Sequence, residues 1–178
     1  MFIKKIAITP GIDVDIDGMK VKVAGSQASL ERDFSNPMFD REIKIEKEGD
    51  IIKVSTGNEK RKIKAMVGTI AAHIKNMING INTPYVYKLK IVFMHFPMTV
   101  KVTGNKLLIT NFLGGRANKT AVIPENIKVE IQGDTIIVSS HDKEAAGRFA
   151  ALIESLTKIS ARDRRIFQDG IFIVEKPC

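Results

Sequence analysis

The chain has 178 residues, room for one large domain or two small ones, and its hydrophobic fraction of 44% is ordinary for a globular protein with a real core. With 28 Lys and Arg against 20 Asp and Glu, the net charge is +8, an excess that favours nucleic acid or another polyanion as partner. A single cysteine, Cys178, excludes an internal disulfide framework, no apolar run reaches membrane-spanning length, and the start Met-Phe-Ile-Lys-Lys lacks a signal peptide's apolar core, so a soluble cytoplasmic protein is expected.

Residues 2–8 mix Phe2, Ile3, Ile6 and Ile8 with two lysines, reading as a short strand or arm closed by Pro10-Gly11. From Asp13 to Val23 apolar and polar residues alternate on both sides of Asp17-Gly18, which predicts a hairpin whose glycine supplies positive φ. A polar segment containing Pro37 leads to a second hairpin, Ile43–Glu46 and Ile51–Val54 around Gly49-Asp50. Residues 59–78 then switch to helical spacing, with Ile63, Val67, Ile70, Ile74 and Met77 on one stripe, and Gly80, Asn82 and Pro84 are expected to end that helix.

The order then recurs. Val14–Val23 has a counterpart in Val100–Ile109, and Ile43–Thr56 has one in Ile127–Ser140, at offsets of 86 and 84 residues. Ile70, Ile74 and Met77 are matched to Leu152, Leu156 and Ile159 at an offset of 82. The fold class expected is α+β: two duplicated small domains, residues 1–82 and 83–178, each an antiparallel β-sheet with one packed helix. Tyr85–Phe96 reads as continuous strand that could link the two. Nothing after the first helix matches the final stretch, where Lys158, Arg162, Arg164 and Arg165 cluster between a helix end and the turn at Asp169-Gly170. Cations there suit an anionic partner, and a solvated helix end complementing the macrodipole is the plain alternative.

Other basic groups fall in two places. Lys60, Arg61, Lys62 and Lys64 occupy the first turns of the first helix, against its dipole, and Gly68 with Ala71 forms a notch of small residues flanked by Lys64 and Lys75. The notch fits either a phosphate backbone or close packing against the other domain. Phe112-Leu-Gly-Gly-Arg116, with Lys119 after it, is a Gly-rich basic turn without the Gly-Lys-Ser/Thr of a nucleotide-binding loop. Asp13, Asp15 and Asp17 imitate a calcium loop, but its twelfth position is Ala24. His73, His95 and His141 have no metal-ligand spacing, and Ser139–Asp142 sit too close in sequence to converge as a triad, Asp142 being better placed as a helix cap. Phe167 in the basic tail could stack on an unpaired base or anchor the core.

The tail Arg165-x-Phe167-x-Asp169-Gly170-Ile171-Phe172-Ile173, with Ile159 and Arg162 before it and Lys176 after, resembles the C-terminal signature of the universal large-subunit ribosomal protein L-six family, in its archaeal and eukaryotic branch. Tyr87–Lys90, His95-Phe-Pro97, Asn111–Gly114 and Gly68-Thr69 with Asn76-Met77 and Gly80 are similar to other parts of that family, so the resemblance spans nearly the whole chain. Ser155 departs from it, standing where the family has Gln. The resemblance implies a structural protein of the large ribosomal subunit that binds ribosomal RNA near the sarcin–ricin region and the stalk base, where translational GTPases dock. It implies RNA contacts at Lys158, Arg162, Arg164, Arg165, Phe167 and Lys176, then at Gly68 with Lys60, Arg61, Lys62 and Lys64, then at Arg116 and Lys119. Neighbouring ribosomal proteins are the other partners expected. Neither cofactor, metal, catalysis, membrane contact, small-molecule substrate nor obligate homo-oligomer is expected. The competing reading is a basic scaffold outside the ribosome that grips an acidic protein surface.

Overall fold

The computed structural model describes residues 2–26, 28–94, 96–160, 162–163 and 165–177. They form two compact units, Met1–Pro84 and Tyr85–Cys178. The first holds strands β1 (Phe2–Ala7), β2 (Asp13–Asp17), β3 (Lys20–Ala24), β4 (Ser29–Asp33), β5 (Ile43–Glu48) and β6 (Ile51–Thr56), then helix α1 (Arg61–Asn82). The second holds β7 (Tyr85–Val92), β8 (Thr99–Thr103), β9 (Lys106–Thr110), a 3₁₀ turn (Phe112–Gly114), β10 (Lys119–Val122), β11 (Lys128–Gln132), β12 (Thr135–Ser140), helix α2 (Lys143–Leu156) and β13 (Gly170–Glu175).

Each unit has two antiparallel sheets where the sequence suggested one. In the first unit they run β1-β6-β5 and β2-β3-β4; in the second, β11-β12-β7-β13 and β10-β9-β8. The two hairpins of each unit therefore go to different sheets, because β6 and β12 recruit a third strand from the start of their own unit. Tyr85–Val92 is no linker: as β7 it pairs with β12 on one side and β13 on the other. β4 and β10 extend the second sheet of each unit.

Four hairpins close with two-residue loops led by Gly18, Gly49, Gly104 and Gly133, whose φ values lie between 58° and 60°. A side chain in that left-handed region costs about 1–2 kcal/mol, which is why glycine stands at the same place four times.

The stripe on α1 packs against β1 and β6, with Val67, Ile70 and Ile74 sealed from solvent among Ile52, Val54 and Val21. Burying each such side chain contributes roughly 1.5–3 kcal/mol. The helix continues two residues past the buried Gly80 to Asn82, and the carbonyl of Asn79 accepts the Thr83 amide before Pro84.

On α2 the expected stripe is off by one residue. Leu152 is 43% exposed, while Ala146, Phe149, Ala150 and Ile153 face the core. The matching register with Ile63, Val67 and Ile70 is therefore 83 residues, running through Ala146, Ala150 and Ile153. Leu152 looked equivalent because a leucine is more conspicuous than the alanines that line this seam. As expected, Asp142 caps α2, its carboxylate accepting the Glu144 amide at 2.9 Å.

Candidate nucleic-acid interface

The segment from Lys158 to Lys176 is carried by the second unit only, and three bonds fix it. Thr157, 3% exposed at the end of α2, accepts the Ile171 amide on its hydroxyl at 2.9 Å. One residue pair further along β13, the Ile173 amide donates to Oε1 of Glu154 at 3.3 Å. Both amides point away from β7, so the end of α2 satisfies the outer edge of the sheet that would otherwise face solvent. Asp169, 2% exposed, accepts the Met94 amide at 2.5 Å and ties the segment to the loop after β7.

Between these anchors the chain turns on Asp163. Its carboxylate accepts the Arg165 amide at 2.9 Å, and its carbonyl accepts the amides of Ile166 and Phe167. Lys158, Arg162, Arg165 and Lys176 are exposed. Among the described residues none of them lies within ion-pair distance of a carboxylate. Arg162 stacks its guanidinium 4.9 Å from the centre of the Phe167 ring. Phe167 itself is half-buried and stands outside the unit's core cluster. Arg164, Ala161, His95 and Cys178 lie outside the described residues.

A groove of about 880 Å³ runs beside this segment, bounded by Glu154, Lys158, Phe167, Gln168 and Phe172. Beside it the Phe172 ring packs closely on Gly170. A Cβ there would come within 3.1 Å of the Phe172 ring and 3.4 Å of the Thr157 carbonyl.

The other basic residues divide. Lys119 leaves the Gly-rich turn and joins the tail: its ammonium donates to the carbonyl of Leu156 at the end of α2 and lies 4.4 Å from the Phe112 ring centre. A cation on the last carbonyls of a helix complements its dipole, so Lys119 has a duty to the fold that sequence reasoning did not assign. Arg116, three residues earlier, is exposed. The turn itself is shaped by Asn111 and Leu113 at φ 59° and 52°.

Lys60, Arg61, Lys62, Lys64 and Gly68 belong to the other unit. Lys60, Arg61 and Lys62 are exposed and Lys64 is half-buried. α1 begins without a side-chain cap on its first turn and with no acidic residue there, the reverse of α2. A Cβ built on Gly68 meets nothing within 4 Å, so neighbouring residues do not require glycine.

The apparent serine triad dissolves into structure. Ser140 Oγ donates to the Asn126 carbonyl at 2.8 Å and accepts the Asp142 amide, while Asp142 caps α2. Among the described residues no group of three His, Cys, Asp or Glu side chains could hold a metal ion, and no helix is long and apolar enough to cross a membrane. Burial raises the Tyr85 and Tyr87 hydroxyls above their ordinary value, and the Ser35 amide lowers the exposed Asp33 carboxyl.

Comparison with known proteins agrees with the duplication. The model of the family described as Ribosomal protein L6 matches residues 8–83 and again 96–170. A large ribosomal subunit protein uL6 of Aeropyrum pernix is 42% identical over 174 residues, covering 98% of this chain and 94% of its own length. Its counterparts in Ignicoccus hospitalis and Staphylothermus marinus are 44% and 46% identical, over 94% and 97% of this chain and 91% and 93% of their own lengths. Two matches of one family model, each on one copy of the repeat, together with relatives matched over more than nine-tenths of their length at this identity, make the chain a member of the ribosomal protein L6 family.

Proposed function

We propose that this chain is a structural constituent of the large ribosomal subunit in the cytoplasm, and that it holds large-subunit RNA through the segment Lys158–Lys176. Family membership makes it a structural protein and not an enzyme. The observation that carries the RNA reading is the contrast between backbone and side chains in this segment. Its backbone is tied down by Thr157, Glu154 and Asp169, while Lys158, Arg162, Arg165 and Lys176 project into solvent without carboxylate partners among the described residues. Rigid backbone with unpaired cations suits phosphate contacts, because the ordering entropy is spent in folding and binding then releases counterions.

Arg162 and Arg165 contact phosphates in fork geometry, Lys158 acts as a point charge, and A-form RNA is recognised mainly by shape. The cations of α1 and the open notch at Gly68 are a second contact, with Arg116 a third. The docking place is the sarcin–ricin region beside the stalk base, with neighbouring ribosomal proteins around it. Replacing Lys158, Arg162 and Arg165 by Ala in the full chain is the test, read as the salt dependence of binding to large-subunit RNA. The slope should flatten by about 0.7–0.9 for each phosphate that is no longer neutralised. An unchanged slope would remove the segment as anchor. Sedimentation away from large subunits in a sucrose gradient would instead favour a scaffold for acidic proteins.

A further inference from the structure

We infer that the groove beside the tail receives an unpaired nucleotide base of the bound RNA, so that this unit grips a loop or bulge and not only a duplex surface. The inference rests on the RNA-binding reading above and specifies what the RNA must present.

Two phenylalanine rings, Phe167 and Phe172, line the groove, and neither belongs to the unit's hydrophobic core. Phe172 is 40% exposed, and its ring lies over Gly170, where a Cβ would stand 3.1 Å away. The backbone is thus cleared of a side chain so that a ring can sit at the groove. Phe167 carries the Arg162 guanidinium on its ring at 4.9 Å, a planar pair of the kind on which bases stack.

The polar wall argues the same way. Glu154 puts a carboxylate on the groove, which would repel a phosphate but accept an amino or imino N–H group of a base edge. Glu154 uses Oε1 for the Ile173 amide, and its other oxygen remains for such a donor. Gln168 adds an amide able to donate and accept. Lys158, exposed at the same groove, supplies a cation for the phosphate that follows the base. Aromatic walls, an acceptor on Glu154 and a basic rim fit a nucleotide in this orientation. Paired bases have covered faces and stay out.

The test compares two labelled RNAs by fluorescence anisotropy with the full chain: a hairpin with an open loop, and a blunt duplex of equal length. Tighter binding of the loop is expected. Phe167→Leu and Phe172→Leu, which keep apolar bulk, should each weaken loop binding roughly tenfold and leave the duplex unchanged. Lys158→Ala should weaken both. If duplex and loop bind alike, or the leucine variants weaken both equally, the base site is overturned while RNA binding stands. If neither RNA binds, the underlying reading fails and this one with it. A photo-crosslinking phenylalanine at position 172 in assembled large subunits gives a second readout. A crosslink to a looped nucleotide supports the site, and one to a protein neighbour makes the groove a peptide site and overturns it.

Discussion

Thr157→Val isolates the bond that holds the appended strand. The two side chains have nearly the same shape, so no cavity opens and the effect is one of hydrogen bonding. In the wild type Oγ1 accepts the Ile171 amide at 2.9 Å and lies within 3.2 Å and 3.4 Å of the Glu154 and Ile153 carbonyls. Ile171 is fully buried and Thr157 is 3% exposed, so water cannot replace the missing acceptor. Leaving a buried amide unsatisfied costs about 1–3 kcal/mol. For a chain of this size that corresponds to about 2–12 °C in melting temperature. Thr157→Ser is the control: it keeps the bond and removes one methyl, about 0.8 kcal/mol. Hydrogen exchange reads the site directly, since the Ile171 amide should lose protection in the valine variant and keep it in the serine one. If valine leaves both the melting temperature and the Ile171 exchange at wild-type values, the hydroxyl does not anchor β13 and the tail is not rigidly held.

Three further outcomes follow from single positions. Gly147→Ala would normally stabilise a helix by about 1 kcal/mol, but its Cβ would stand 2.8 Å from the Tyr87 hydroxyl, so the variant should melt lower and Tyr87→Phe should restore part of the loss. Gly68→Ala has open space and should raise the melting temperature of the free protein while weakening RNA binding, whereas unchanged binding would strike the α1 notch from the interface. Tyr85 and Tyr87 have hydroxyls raised by burial, so their contribution is complete below about pH 10 and is lost as pH climbs through the raised values. Urea unfolding above that pH should show falling stability, with a shallower fall in the Tyr85→Phe, Tyr87→Phe double variant.

Local rules carried much of this fold. Gly18 and Gly49 each stand between alternating strands and so mark hairpins, although the first loop is Gly18-Met19 and Asp17 belongs to β2. The α1 stripe was legible because Ile63, Val67, Ile70, Ile74 and Met77 are large and regularly spaced. β4 was hidden, since Ser29–Asp33 has one large apolar residue, Leu30, and forms by pairing with β3. Splitting the hairpins into two sheets depends on β1 finding β6 some fifty positions later, a choice made by the whole core. The candidate interface divides similarly. Its cations could be read from composition, but the bonds that shape it join residues 14, 19 and 75 positions apart. Lys119 is the sharpest case: the same residue reads as a loop cation until α2 brings the Leu156 carbonyl to it, 37 positions away.

The corrected helix register explains how one copy accommodates the added segment without losing its core. At an offset of 83, Ile74 of α1, fully buried, corresponds to Thr157 at the end of α2. In the first unit no strand lies beyond β1 among the described residues, and an isoleucine simply fills the seam. In the second unit β13 lies beyond β7, the strand equivalent to β1, and its outward amides need acceptors. Threonine supplies one at nearly the volume of valine, and Glu154 supplies the next. The open sheet edge beyond β7 is therefore where the added segment sits, held by Thr157 and Glu154 on β13 and by Asp169 on the loop after β7. That pinning also fits the placement of the cations between α2 and β13 and not on the strand: a loop held at both ends keeps Arg162 over Phe167, while its charges stay exposed to water.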